Sequence, residues 1–140
     1  MVESADGSPV RSERHGEVAI VHAGDYLNKL SGERVERECR LRLEEGCRAL
    51  VVDFRQTGMV NSIGVSILLG VIDAAERAGA PVAFAGANEQ AAHIFEMLGL
   101  TRHARLAASV EEARAALSAE VGKSTALKKN GTSPPAAARA

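Results

Sequence analysis

The sequence predicts an α/β fold: a mixed, mostly parallel sheet of four to five strands with about four helices, in the order β-β-α-β-α-β-α-β-α. Three observations carry this. Short apolar runs rich in β-branched residues alternate with longer amphipathic stretches, the pattern of strands joined by crossover helices. Glycine closes most of the amphipathic stretches, as at helix C-termini. The first two strand-like runs are separated only by His15-Gly16, so they form a hairpin and the opening strand runs antiparallel to the next.

Met1 to Ser8 is small and polar and reads as a flexible start. Pro9 to Arg14 suits an edge strand with proline at its beginning, and Glu17 to Ala23 (EVAIVHA) is a strand. Gly24 to Gly32 is a loop in which Ser31 can cap the following helix. That helix is expected over Glu33–Glu45, with Val35, Cys39 and Leu43, and Leu41 nearby, as its apolar stripe, and Gly46 as its stop. Leu50 to Phe54 is too short for a helix and suits a buried strand. Turn formers at Gln56–Gly58 lead to Asn61-Ser62, which stands before a helix with apolar residues Ile63, Ile67, Gly70/Val71, Ala74 and Ala78 at helical spacing. Gly79 closes it. Val82 to Ala85 is the next strand. Asn88 caps a helix over Glu89–Leu98, whose apolar side is Ala91/Ala92, Phe95 and Leu98. A short strand follows around Ala104–Leu106, then a helix opened by a Ser109…Glu112 capping box. The domain is expected over residues 9–120, with residues 121–140 a disordered basic tail.

The chain has 140 residues, 46% hydrophobic and only 3% aromatic, with no tryptophan. This is one domain with an aliphatic core, and it argues against an aromatic-lined pocket or a base-stacking platform. Formal net charge is −1, which gives no general basic surface for nucleic acid. Residues 121–140 hold four basic residues and no acid; the other thirteen basic residues stand against all eighteen acids, so the body is mildly acidic. Cys39 and Cys47 lack metal-ligand spacing and read as small apolar residues of a reduced protein. No apolar run reaches the length of about 18 residues that would suggest a membrane span, and no signal-peptide core is present. The expectation is a cytoplasmic protein with no cofactor, no nucleic acid and no membrane partner.

Chemistry-bearing motifs are sparse. No glycine-rich phosphate loop follows a strand, the four histidines are scattered, and nothing resembles the GxSxG elbow of hydrolases. Asp53 ends the central strand without an evident His or Cys partner, and reads as a carboxylate taking loop or helix-terminus hydrogen bonds. The chain therefore reads as a non-enzyme. Ser62 stands out by position: a serine at a helix N-cap satisfies an orphan N–H, and the same N-terminus favours a phosphate.

The run VVDFRQTGMVNSIGVSILLGVIDAAERAGAPVAF, followed by FEMLGLTRHARL and SVEEARAAL, resembles the STAS domain of bacterial anti-sigma factor antagonists over residues 10–120. That family has a strand, a D-S-S-G-like turn, an apolar helix, a strand, a helix ending in Gly-Leu, and a last helix. The resemblance implies binding to a GHKL-type serine kinase that is also an anti-sigma factor. It also implies release of the sigma factor, blocked by phosphorylation of the second serine, with a PP2C-type phosphatase as a further partner. By position, Asn61 occupies the acid, Ser62 the first serine, Ile63 the phosphoacceptor and Gly64 the glycine; Ser66 stands where the family often has a second glycine. Isoleucine has no hydroxyl. Either the protein docks without a phosphorylation switch, or Ser62 (more weakly Ser66) takes that role. The expected partner surface is Gly58, Asn61, Ser62, Ile63 and Gly64 with Ser66, Asp73 and Arg77 on the following helix and Tyr26 in the loop Gly24–Ser31. The alternatives are a STAS subunit of another assembly, such as a lipid transport complex or a sensory scaffold, or a small-ligand carrier or enzyme on the same sheet.

Overall fold

The structure is a computed structural model that describes residues 10–129, with side chains described through residue 122. Its elements are β1 (Ser12–His15), β2 (Val18–His22), β3 (Tyr26–Leu27), α1 (Lys29–Glu44), β4 (Ala49–Asp53), β5 (Met59–Val60), α2 (Ser62–Arg77), β6 (Val82–Ala85), α3 (Glu89–Met97), a 3-10 turn (Leu100–Arg102), β7 (Arg105–Ala107) and α4 (Val110–Lys129). The main sheet has five strands in the order β1-β2-β4-β6-β7. Only the β1–β2 pair is antiparallel. The expected alternation of strands and helices is therefore present, with the two-residue strands β3 and β5 added as a separate parallel pair.

Both faces of the sheet are covered, which is why β2, β4 and β6 read as nearly unbroken apolar runs. Ala19, Val21, Leu50, Val52, Val82 and Phe84 point toward α1, α2 and α3. Their neighbours Val18, Ile20, Ala49, Val51, Ala83 and Ala85 point the other way, onto Val110, Ala113, Leu117 and Val121 of α4. Phe54, Phe84 and Phe95, the only phenylalanines in the chain, meet under the helical layer with ring centroids 5.1–5.6 Å apart.

Several element boundaries differ from the sequence expectation. Helix α1 starts four residues early: Asn28 is the cap, and Ser31 is its reciprocal partner three residues on. Leu41 is exposed, and Val35 and Cys39 carry the buried stripe. In α2 the buried residues are Gly64, Val65, Leu68, Val71, Ile72 and Ala75, so the core face lies about one residue beyond the expected stripe. Leu98 caps α3 and is exposed. The last helix runs to Lys129, past its expected end near Glu120. The expected flexible start over 1–8 and the tail over 130–140 lie outside the described residues.

Helices α1 and α2 lie against one another through glycine. A Cβ added at Gly64 would stand 2.7 Å from the Leu27 carbonyl oxygen and 3.0 Å from Asn28 Cα, both backbone atoms that cannot swing aside. One added at Gly70 would meet only the end of the Glu36 side chain, at 2.7 Å, and that carboxylate can move. Alanine is favoured over glycine inside a helix by about 1 kcal/mol. Gly70→Ala is therefore expected to leave stability unchanged or raise it by up to about 1 kcal/mol. Gly64→Ala is expected to lower it by about 1–3 kcal/mol, the usual cost of overpacking, against that same propensity. Urea unfolding midpoints at constant slope measure both; a raised midpoint for Gly64→Ala would disprove the close contact.

Candidate functional site

At the carboxyl end of the sheet, two loops are stitched into one rim. Buried Thr57 donates its hydroxyl hydrogen bond to the Gly24 carbonyl, and the Gly58 N–H donates to the Asp25 carbonyl at 2.9 Å. Tyr26 pairs with Met59 and Leu27 with Val60 in the β3–β5 ladder. The Asn61 N–H closes the set on the Leu27 carbonyl at 2.9 Å. The loop Gly24–Ser31 and the turn Gly58–Gly64, distant in sequence, are thus one surface.

Both helices that leave this rim are capped by asparagine. Asn28 Oδ1 accepts from the Ser31 N–H at 2.9 Å, and Asn61 Oδ1 accepts from the Gly64 N–H at 2.8 Å. This corrects the sequence reading of Ser62 as the cap. Asn61 has the extended backbone that a cap requires (φ −114°, ψ 165°), and Ser62 is already the first helical residue. The Ser62 side chain is exposed. The Ser66 hydroxyl donates back to the Ser62 carbonyl at 2.9 Å. Neither helix has an acidic residue in its first turn, so the positive ends of both dipoles are uncompensated there.

Four large apolar side chains stand out from this corner: Tyr26 at 39% exposure, Leu30 and Ile63 each at 55%, and Met59 at 59%. Leu30 and Met59 fall within the two stretches expected to form the surface, but the sequence does not single them out, because isolated apolar residues among turn formers give no periodic signal. Asn61 Nδ2 donates to the Tyr26 hydroxyl at 3.4 Å, tying the tyrosine to the α2 cap. Asp73 and Arg77 pair with each other at 3.0 Å on the exposed side of α2. They continue the helical stripe of Ser62 and Ser66, but roughly three turns further on. The structure thus gathers Tyr26, Gly58, Asn61, Ser62, Ile63 and Gly64 at the rim, and sets Asp73 and Arg77 apart from it.

A polar chain lies beside the rim. The Asp53 carboxylate, 5% exposed, accepts from the Arg55 N–H at 3.0 Å, from the Arg55 guanidinium at 2.8 Å, and lies 2.7 Å from His22 Nδ1. His22 Nε2 lies 2.8 Å from Glu13 on the edge strand. Burial alone would raise the Asp53 carboxyl, but the bonds from Arg55 and His22 outweigh it and hold it below the usual carboxylate range. Hydrogen bonds from His15 and His22 lower Glu13 as well. Asp53 is thus a hydrogen-bonded carboxylate, as the sequence suggested, but it does have a histidine partner, His22, which lies far from it in sequence and pairs with it only through the β2–β4 register. Cys39 and Cys47 are buried thiols, and desolvation pushes Cys39 up to about 12.

The family model described as STAS domain matches residues 10–113. Among solved structures, the chain is similar to a variant of RsbS from Moorella thermoacetica, at 19% identity over 81% of this chain and 98% of that one, with a TM-score of 0.71. It is similar to an anti-sigma factor antagonist from Mycobacterium paratuberculosis, at 18% identity over 81% and 97%, TM-score 0.68. It is also similar to a sulfate transporter family protein from Wolinella succinogenes, at 14% identity over 86% and 97%, TM-score 0.69. No curated protein sequence matches the chain. Among the described residues, no helix is long and apolar enough to cross a membrane.

The Asp53 cluster has a pH signature. A carboxyl held below its ordinary value contributes stability that is fully present above that value and is lost as pH falls through the folded one. The protein is therefore expected to lose stability on acidification below about pH 4. Asp53→Asn is expected to lower stability at neutral pH by about 1.5–3 kcal/mol and to flatten the acid limb of the profile. Urea melts from pH 7 down to acid test this; an acid limb of unchanged slope in the variant would remove Asp53 from the account.

Proposed function

The chain belongs to the STAS domain family, and from that premise we propose that it is an anti-sigma factor antagonist that docks constitutively on a GHKL-type switch-kinase anti-sigma factor in a partner-switching pathway. The fold neighbours named above include an anti-sigma factor antagonist. The observation that carries the reading is Ile63. It stands where the family resemblance puts the phosphoacceptor, and it is exposed among Tyr26, Leu30 and Met59. Isoleucine's hydrocarbon side chain has no nucleophilic atom to take a phosphate, so docking through this corner does not end by modification of that position. The protein acts as a binding module rather than a catalyst, and in this reading it needs no PP2C-type phosphatase to reset it.

A second reading has its own support. One fold neighbour is a sulfate transporter family protein, so the same domain can serve as a STAS subunit of a larger assembly. In both readings the partner meets the α2 opening; they differ in what the partner is.

The test uses a purified GHKL-type anti-sigma kinase and the full chain. The native protein is expected to bind equally well before and after incubation with ATP. Ile63→Asp is expected to weaken binding at least tenfold, about 1.4 kcal/mol, by placing a charge in the apolar patch. Ile63→Ser is expected to restore a phosphoacceptor, with binding lost after ATP treatment. Phosphopeptide mapping that finds phosphate on Ser62 or Ser66 of the native chain would overturn constitutive docking. Unchanged affinity of Ile63→Asp would place the interface elsewhere.

A further inference from the structure

We propose that the cleft at the carboxyl end of β2, beside the docking rim, binds a small oxyanion of the phosphate class between Arg11 and Arg34. The cleft encloses about 280 Å3, and Arg11, His22, Asp25, Tyr26, Arg34 and Gln56 line it. That volume is just below the usual range for ligand sites, which points to a small ligand.

The two guanidiniums reach the cleft from different elements. Arg11 precedes β1, and its carbonyl accepts from the His22 N–H at 2.9 Å, which fixes it beside the end of β2. Arg34 lies in the second turn of α1 and is half-buried. Its partner one turn on would be Glu38, the i,i+4 carboxylate that normally pairs with such a residue. Glu38 is engaged elsewhere: it accepts from the Ser12 hydroxyl and pairs with Arg42 at 3.6 Å. The other charged pairs on α1, Lys29–Glu33 and Arg40–Glu36, follow the helical spacing. Among the described residues neither Arg11 nor Arg34 makes an ion pair.

The remaining walls suit the same ligand. The Gln56 amide and the Tyr26 hydroxyl supply neutral donors. Among the described residues Asp25 is the one carboxylate lining the cleft, and nearby Glu13 and Asp53 are held by His22 and Arg55. Among the described lining residues two guanidiniums stand against one acid, a net positive lining. Arginine's planar fork matches the oxygens of a tetrahedral phosphate better than a point charge does.

The experiment is an NMR titration of the full chain with inorganic phosphate, at constant ionic strength maintained with chloride. The chain has a single tyrosine, so the Tyr26 ring signals report on the cleft without assignment ambiguity. Saturable shifts of Tyr26 and of the Gln56 side-chain amide are expected. Arg34→Gln and Arg11→Gln are each expected to weaken the apparent affinity at least tenfold, with unchanged circular dichroism as the folding control. Arg102→Gln, outside the cleft, is expected to leave it unaltered. Linear, non-saturating shifts, or equal weakening by Arg102→Gln, would mean diffuse charge screening and overturn the site. Saturable binding that survives Arg34→Gln would overturn it as well.

Discussion

The candidate site depends on a contact made by the absence of an atom. Gly64, the third residue of α2, lies with its Cα against the backbone of Leu27 and Asn28, closer than any side chain would permit. That approach sets the first turn of α2 beside the first turn of α1 and lets the Asn61 N–H reach the Leu27 carbonyl. The β3–β5 pair is two residues long on each strand and could not hold by itself, since even isolated hairpins of full length are marginal in water. It persists because the helix start, the Asn61 cap and the Thr57–Gly24 bond fix both strands at their ends. Two adjacent asparagine caps and an apolar collar around them follow from that one steric allowance.

Below the rim the structure is rigid in a way that suits a docking face. The three phenylalanines fill the space directly under the carboxyl end of β4 and β6, where Phe54 follows Asp53. Asp53 is buried but satisfied by Arg55 and His22, so the junction between core and rim carries a polar clamp rather than an unpaired charge. Helix α4 covers the opposite face of the sheet. Substitutions at Leu117 or Val121, which pack on that face, should act on stability and leave the rim's geometry alone, as expected for separate contact sets.

Much of this was legible in the residues. The strands that bury both faces announced themselves as unbroken apolar runs, and Asn88 and the Ser109…Glu112 pair marked their helix starts correctly, with the Glu112 N–H bonding Ser109 Oγ at 3.1 Å. The failures have physical causes. Strands of two residues have no period to detect. Asn61 and Ser62 are both good caps, and only the backbone angle at Asn61 decides between them. Helix α2 is apolar on most of its circumference, so its pattern fixes a helix but not which side meets the sheet; Gly64, with no side chain, marked the true face. In the last helix, alanine, leucine and lysine are strong helix formers, and α4 runs past Glu120 to Lys129.

Ile63 is the residue whose place the fold does not require. A β-branched side chain in the first turn of a helix loses rotamer freedom, and this one is more than half exposed, so little burial offsets that loss in the isolated chain. A serine or an acid there would serve the helix better, the first by local hydrogen bonding and the second by facing the dipole. The same holds for its neighbours: Leu30 and Met59 expose apolar surface that α1 and the β5 strand do not use. Scattered exposed leucines are ordinary, but apolar side chains gathered around one rigid corner are a feature of surfaces that are covered in use. An apolar corner also differs from a phosphate-switched one in kind: its affinity comes from desolvation, so salt should change the rate of encounter far more than the strength of the complex.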